Sequence, residues 1–148
     1  LIERFNSKSF PEPQDLLNLP DSEFRLCGYS GSKTKAIKDI AQKTLEGIIP
    51  DRKVATKLSN EKLIERMSQP YGVGKWTVEM FLIFSLGRLD VWPVDDFGVR
   101  NGFKVWKRKR EMPKPKALDT FGEKWRPYRT VVALYLWREA DASKTKKK

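Results

Sequence analysis

Two aspartates, Asp95 and Asp96, stand side by side at the end of the stretch YGVGKWTVEMFLIFSLGRLDVWPVDDFG, residues 71 to 98 of a strongly basic chain. A carboxylate in the first turn of a helix is held ionised by backbone N–H donors and the helix dipole. Fixed in that way, it can stabilise a developing cation or activate water. A helix is expected from about Asp96 to Trp106, and Asp is a preferred N-cap, so capping alone accounts for one of the two. The other is left unexplained. Upstream, Gly72 and Gly74 flank Val73 between two helical segments. The backbone N–H groups that open the second of these helices, with Lys75 beside them, form a ready site for a phosphate. An ordinary helix–helix turn would carry the same glycines. Dinucleotide binding and a P-loop are excluded, because no strand precedes the turn and no Gly-Lys-Ser/Thr follows it.

The rest of the inventory narrows the chemistry further. There is no histidine, which removes Ser-His and Cys-His nucleophilic systems and His-ligated metals. Cys27 is the single cysteine, so the chain cannot build an internal disulfide, a four-cysteine zinc site or an iron–sulfur cluster. Catalysis would rest on Asp, Glu, Lys, Tyr or backbone groups, with no metal and no cofactor. Lys and Arg number 30 against 19 acids, a net charge of +11 that favours a polyanionic partner. Apolar residues form 39% of the 148, with five Trp and eight Phe, enough for one domain with a core. The apolar run from Trp76 to Leu86 is too short to span a bilayer, and no membrane role is expected.

These groups must be carried almost entirely by helices, since the pattern has helical periodicity and almost no alternation. Helix starts with proline or acids open PEPQDLLNL and PDSEFRLCG. Ala36, Ile37, Ile40, Ala41, Thr44, Leu45 and Ile48 fall on one stripe of a longer amphipathic helix. Ser59 or Asn60 caps another short helix, with Leu63, Ile64 and Met67 inward. KWTVEMFLIFSLG is apolar on nearly every side and is expected at the centre of the domain, with Glu79 as its lone acid, solvated or paired. Pro93 disfavours a helical Trp92, so RLDVWPVD is an extended connection. After the helix to Trp106 come a basic loop, KRKREMPKPK, and two helices, KALDTFGEKW and YRTVVALYLWREA. Trp106, Trp125 and Phe84 are expected in the core. No linker is visible. The expectation is one all-α domain over residues 1–140 and a basic disordered tail over 141–148.

Glycine hairpin, apolar helix, DVWPVDD linker and following helix together resemble the helix-hairpin-helix DNA glycosylase superfamily. GVGKWTVEMFLIFSLGRLDVWPVDDFGVR and WRPYRTVVALYLWR are most similar to its DNA-3-methyladenine glycosylase II branch. The similarity runs from about Phe10 to Glu139, although Tyr71 stands where the hairpin motif often has proline. The resemblance implies base excision repair: hydrolysis of the N-glycosidic bond of alkylated purines such as 3-methyladenine in double-stranded DNA, leaving an abasic site. It places the catalytic carboxylate on Asp96, which leaves Asp95 as the cap or a solvated neighbour. More distant members would match at Asp95. It assigns the substrate pocket to Trp76, Met80, Phe97 and Trp137, and DNA contacts to Gly72, Val73, Gly74 and Lys75. Where bifunctional members carry a lysine nucleophile this chain has Trp76, and Lys75 is one residue early, so the implied enzyme is monofunctional.

Residue 1 is a leucine, and LIERF has the look of the last turn of a helix that began earlier. In the family, helices upstream complete the core and carry a residue that wedges into the DNA; the fold is expected to lack them here. A monomer is expected, one that needs that segment, cytoplasmic or nucleoid-associated in a bacterium and nuclear in a eukaryote. The rival from another class is a helix-hairpin-helix DNA-binding module without chemistry, which charge and hairpin would equally explain. A cationic helical protein that binds RNA or acidic partners is a third, disfavoured by the glycine hairpin before an apolar helix.

Overall fold

The computed structural model describes residues 10–145, and all the regular structure among them is helical. In chain order the helices are α1 Pro13–Asn18, α2 Asp21–Leu26, α3 Gly31–Leu45, α4 Arg52–Ala55, α5 Asn60–Met67, α6 Lys75–Phe84, α7 Phe97–Trp106, α8 Pro115–Gly122 and α9 Arg129–Thr145, with a 3-10 turn at Glu123–Trp125 before α9. The chain divides into two compact units, one up to Val78 and one from Glu79, with the boundary inside α6. Such a division leaves no linker to be seen in the sequence.

In the first unit α3 packs against α1 and α2 around Leu16, Phe24 and Ala41. Local chemistry fixes the helix starts. Ser30, Asp51 and Ser59 each accept a backbone N–H three residues on, and Glu12 and Asp15 form a reciprocal capping box. Gly28, at φ +82, ends α2. The stripe on α3 is only partly inward: Ala41 is buried, but Ile40 and Leu45 are exposed.

In the second unit α7 lies against α9, around Trp92, Val99, Phe103, Leu118, Ala133 and Leu136. Helix α9 continues to Thr145, so residues 141–145, expected in a disordered tail, are helical. Asp-Ala-Ser-Lys-Thr contains no glycine or proline to stop the helix. Residues 146–148 lie outside the described residues, as does the helical turn expected at LIERF. Glu79, expected to be solvated or paired, is buried, which excludes the solvated alternative.

Candidate active site

Asp96 is the residue around which the second unit's chemistry gathers. The chain is irregular over residues 91–93 and turns at Val94 and Asp95, and the Asp96 N–H donates to the Pro93 carbonyl at 3.1 Å to close that turn. Its backbone (φ −66, ψ 126) is that of an N-cap, and Oδ1 accepts the Val99 N–H at 2.7 Å. Of the two roles expected for Asp95, cap or solvated neighbour, the structure gives the second: the cap is Asp96, and Asp95 is exposed. Position decides this, because the cap is the residue whose side chain reaches the N–H three residues on, here Val99.

Asp96 is also 8% exposed, unusually low for a capping residue, and it has a second donor. Trp137, in the middle of α9, gives its indole Nε1–H to Oδ1 at 2.6 Å. Phe84, at the end of α6, stacks on Trp137 with ring centroids 5.8 Å apart and planes 25° apart. Phe84 is 66% exposed, so it is a ring at the site's edge and not the core residue expected. An apolar helix of ten residues has more apolar side chains than one buried face accommodates.

The α7–α9 contact that brings these groups together depends on glycines. A Cβ on Gly102 would collide with the Leu136 carbonyl, and one on Gly98 would lie 2.5 Å from Trp137 Cδ1. The start of α9 is bolted to the connection between α6 and α7. The Thr130 hydroxyl donates to the Arg88 carbonyl at 2.8 Å and accepts the Val91 N–H at 2.9 Å. Arg129, buried, gives Nε and an Nη to Asp90 at 2.6 and 2.9 Å, and Arg126 reaches both Asp90 and Glu123. The Arg129 guanidinium holds the Asp90 carboxyl below its ordinary value, and Arg126 does the same for Glu123. Gly98, Gly102, Arg129 and Thr130 were not singled out in the sequence. The spacing Asp-Phe-Gly in a helix's first turn was the one available signal.

Of the residues expected in a pocket, the structure joins Trp137 to Asp96. Phe97 follows Asp96 and is 65% exposed; Met80 is half-buried on α6. Trp76 belongs to the first unit and is half exposed. Trp106 and Trp125, expected in the core, are partly exposed and line an open apolar groove of about 510 Å³ with Tyr128 and Tyr135. Each shares a T-shaped or tilted contact with Phe121 and a lysine over its ring, which supports an aromatic with one face in water.

The hairpin lies in the first unit, between α5 and α6. Gly72 takes φ +76 and Gly74 does not have positive φ, so the conformational demand falls on the first glycine only. A Cβ on Gly74 would meet nothing within 4 Å, which leaves its backbone open to approach. Asp39 of α3 accepts the Tyr71 N–H at 2.6 Å and fixes the hairpin's entry, and Lys35 sits 4.2 Å over the Tyr71 ring. Tyr71 thus ties the turn to α3 where the motif often has proline. No cluster of three or more metal-ligating side chains occurs among the described residues, and no helix there is long and apolar enough to cross a membrane.

A family model described as HhH-GPD superfamily base excision DNA repair protein matches residues 1–127. The chain is 43% identical over 133 residues to DNA-3-methyladenine glycosylase 1 of Schizosaccharomyces pombe, covering 90% of this chain and 58% of that protein. It is 34% identical to the alkylbase DNA glycosidase-like protein mag2 of the same organism, with 90% and 62% covered. Among solved structures, the S. pombe 3-methyladenine DNA glycosylase in complex with abasic DNA superposes with a TM-score of 0.82 at 43% identity, covering 92% of this chain and 68% of that one. A DNA-3-methyladenine glycosidase from Bacillus halodurans gives 0.81 at 34% identity, with 94% and 64% covered. The chain spans about three fifths of the length of these two curated relatives, 58% and 62%.

Proposed function

The chain belongs to the HhH-GPD superfamily of base excision DNA repair proteins, and from that premise we propose that it is a monofunctional DNA glycosylase acting on alkylated purines in duplex DNA. One observation carries the reading: a buried carboxylate, Asp96, fixed by two donors on Oδ1 beside the stacked pair Trp137 and Phe84. A helix needs a cap. It does not need one that is buried against a tryptophan on another helix.

The reaction asks little of a general acid. An N3- or N7-alkylated purine is already cationic, so the C1′–N bond breaks with its electrons returning to the base, which leaves neutral. The sugar becomes oxocarbenium-like, and Asp96 stabilises that positive charge. Water adds to C1′ and gives its proton to Asp96 or to solvent. The target nucleotide must leave the stack to reach the carboxylate, and Met80, Phe97 and Trp137 of the second unit receive its charged base. Gly72, Val73, Gly74 and Lys75 hold a strand by its phosphates, independently of sequence. With Trp76 where a lysine nucleophile would stand, strand cleavage is not part of the activity. The protein works as a monomer wherever the chromosome lies, in the nucleus or the nucleoid.

Methylated duplex DNA provides the test. The protein's full chain should release the alkylated base and leave heat- or piperidine-labile abasic sites, and borohydride should trap no covalent adduct. A trapped adduct would refute monofunctionality. Tight binding without base release would favour a DNA-binding module over an enzyme.

A further inference from the structure

The indole of Trp137 does something an aromatic wall need not do. Its N–H is aimed at Asp96 Oδ1, 2.6 Å away, the same oxygen that takes the Val99 N–H at 2.7 Å. A capping bond from its own helix anchors one oxygen but lets the carboxylate plane turn about that anchor. A second donor from a different helix removes that freedom. Tryptophan's N–H is donor-only, so it can hold an accepting oxygen but cannot relay a proton. Residue 98 makes the approach possible. A Cβ there would stand 2.5 Å from Trp137 Cδ1, 2.8 Å from Nε1 and 3.1 Å from Asp96 Oδ1, between the two partners. Phe84 stacks on the indole and supports its orientation.

We infer that Trp137 is a positioning residue for Asp96, admitted by Gly98 and braced by Phe84, which sets the carboxylate's orientation toward the reacting sugar. The inference rests on the glycosylase reading for its kinetic consequence and on the hydrogen bond alone for its structural one.

Trp137→Phe keeps an aromatic face for stacking and removes the donor. It should lower the single-turnover rate of base release about 100-fold, the scale of a misplaced catalytic group, while duplex affinity and Tm stay near wild type. A wall that only stacks on the base would let Trp137→Phe pass almost unchanged. Gly98→Ala pushes the indole off the carboxylate by roughly 1 Å, given an ordinary carbon contact of about 3.5 Å, and should act in the same direction. The deciding comparison is Trp137→Phe in an Asp96→Asn background, where no further loss is expected because the residue acts through the carboxylate. An equal loss in both backgrounds overturns the inference, as does a wild-type rate for Trp137→Phe. Independently of activity, the Trp137 indole N–H resonance, assigned by its disappearance in Trp137→Phe, should lie downfield and move upfield in Asp96→Asn. If it moves and the wild type still releases no base, the glycosylase reading has failed and the hydrogen-bonded pair stands. If it does not move, the pair itself is refuted.

Discussion

Asp96 combines two duties that pull a side chain in compatible directions: it caps α7 through Val99, and its burial beside Trp137 gives its charge a fixed place. The duties can be separated. Asp96→Asn keeps a good cap, whereas Asp96→Ala loses it and should cost about 1 kcal/mol in thermal or urea denaturation. Asp95 is solvated, and its replacement by Asn should leave stability unchanged. The hairpin glycines also part company. Gly72 sits at φ +76 with Ala36 Cβ 3.4 Å from where its own Cβ would be, so Gly72→Val should destabilise the protein by at least about 1–2 kcal/mol. Gly74→Val, with no positive φ and open space, should fold like wild type. Equal losses of stability in the two variants would contradict the hairpin geometry.

At the scale of elements, the site depends on how closely α7 and α9 approach and on how α9 is anchored at its start. Gly102→Ala would drive a methyl group into the Leu136 carbonyl, and the backbone cannot yield as a side chain would. A loss of about 3 kcal/mol, the upper end for overpacking, is expected in chemical denaturation. The anchor carries a pH signature. Arg129 holds the Asp90 carboxyl below its unfolded value, so its contribution to stability is complete above the ordinary aspartate pKa of about 4 and disappears as pH falls through the lower folded value. Tm should therefore drop on the acid side, and Asp90→Asn should flatten that drop while lowering Tm at neutral pH. Most of these helices were legible in the sequence, because periodicity and caps such as Ser59 are local signals. The aspartate pair was legible from residue type and position, whereas the choice of Asp96 within it, and Trp137, came only through family resemblance. Their contact joins residues 41 apart in sequence, and the glycines that admit it have no local reason to be glycine. Trp106, Trp125 and Phe84 were misplaced for a related physical reason: apolarity predicts burial on average and says nothing about which ring lines a groove. Which of the two aspartates caps the helix stayed open, since adjacent aspartates offer the same chemistry until the turn at Pro93 is known.

For the whole molecule, a net charge of +11 and the phosphate contacts proposed for the hairpin predict that duplex affinity falls steeply with salt and depends little on sequence. A titration from about 50 to 200 mM salt checks this; a flat response would remove the electrostatic basis for DNA as partner. The proposed chemistry, however, falls on one of two adjacent aspartates, Asp95 and Asp96. The measurement that meets it most directly is single-turnover base release from methylated duplex DNA by the wild-type full chain, Asp96→Asn and Asp95→Asn, each shown to be folded and to bind DNA. Release by the wild type is expected, with most of the rate retained in Asp95→Asn and near-complete loss in Asp96→Asn, binding being kept or slightly tightened as a repulsion with phosphate is removed. Loss confined to Asp95→Asn would move the active carboxylate one residue upstream, and equal rates in all three proteins would contradict a catalytic role for either aspartate.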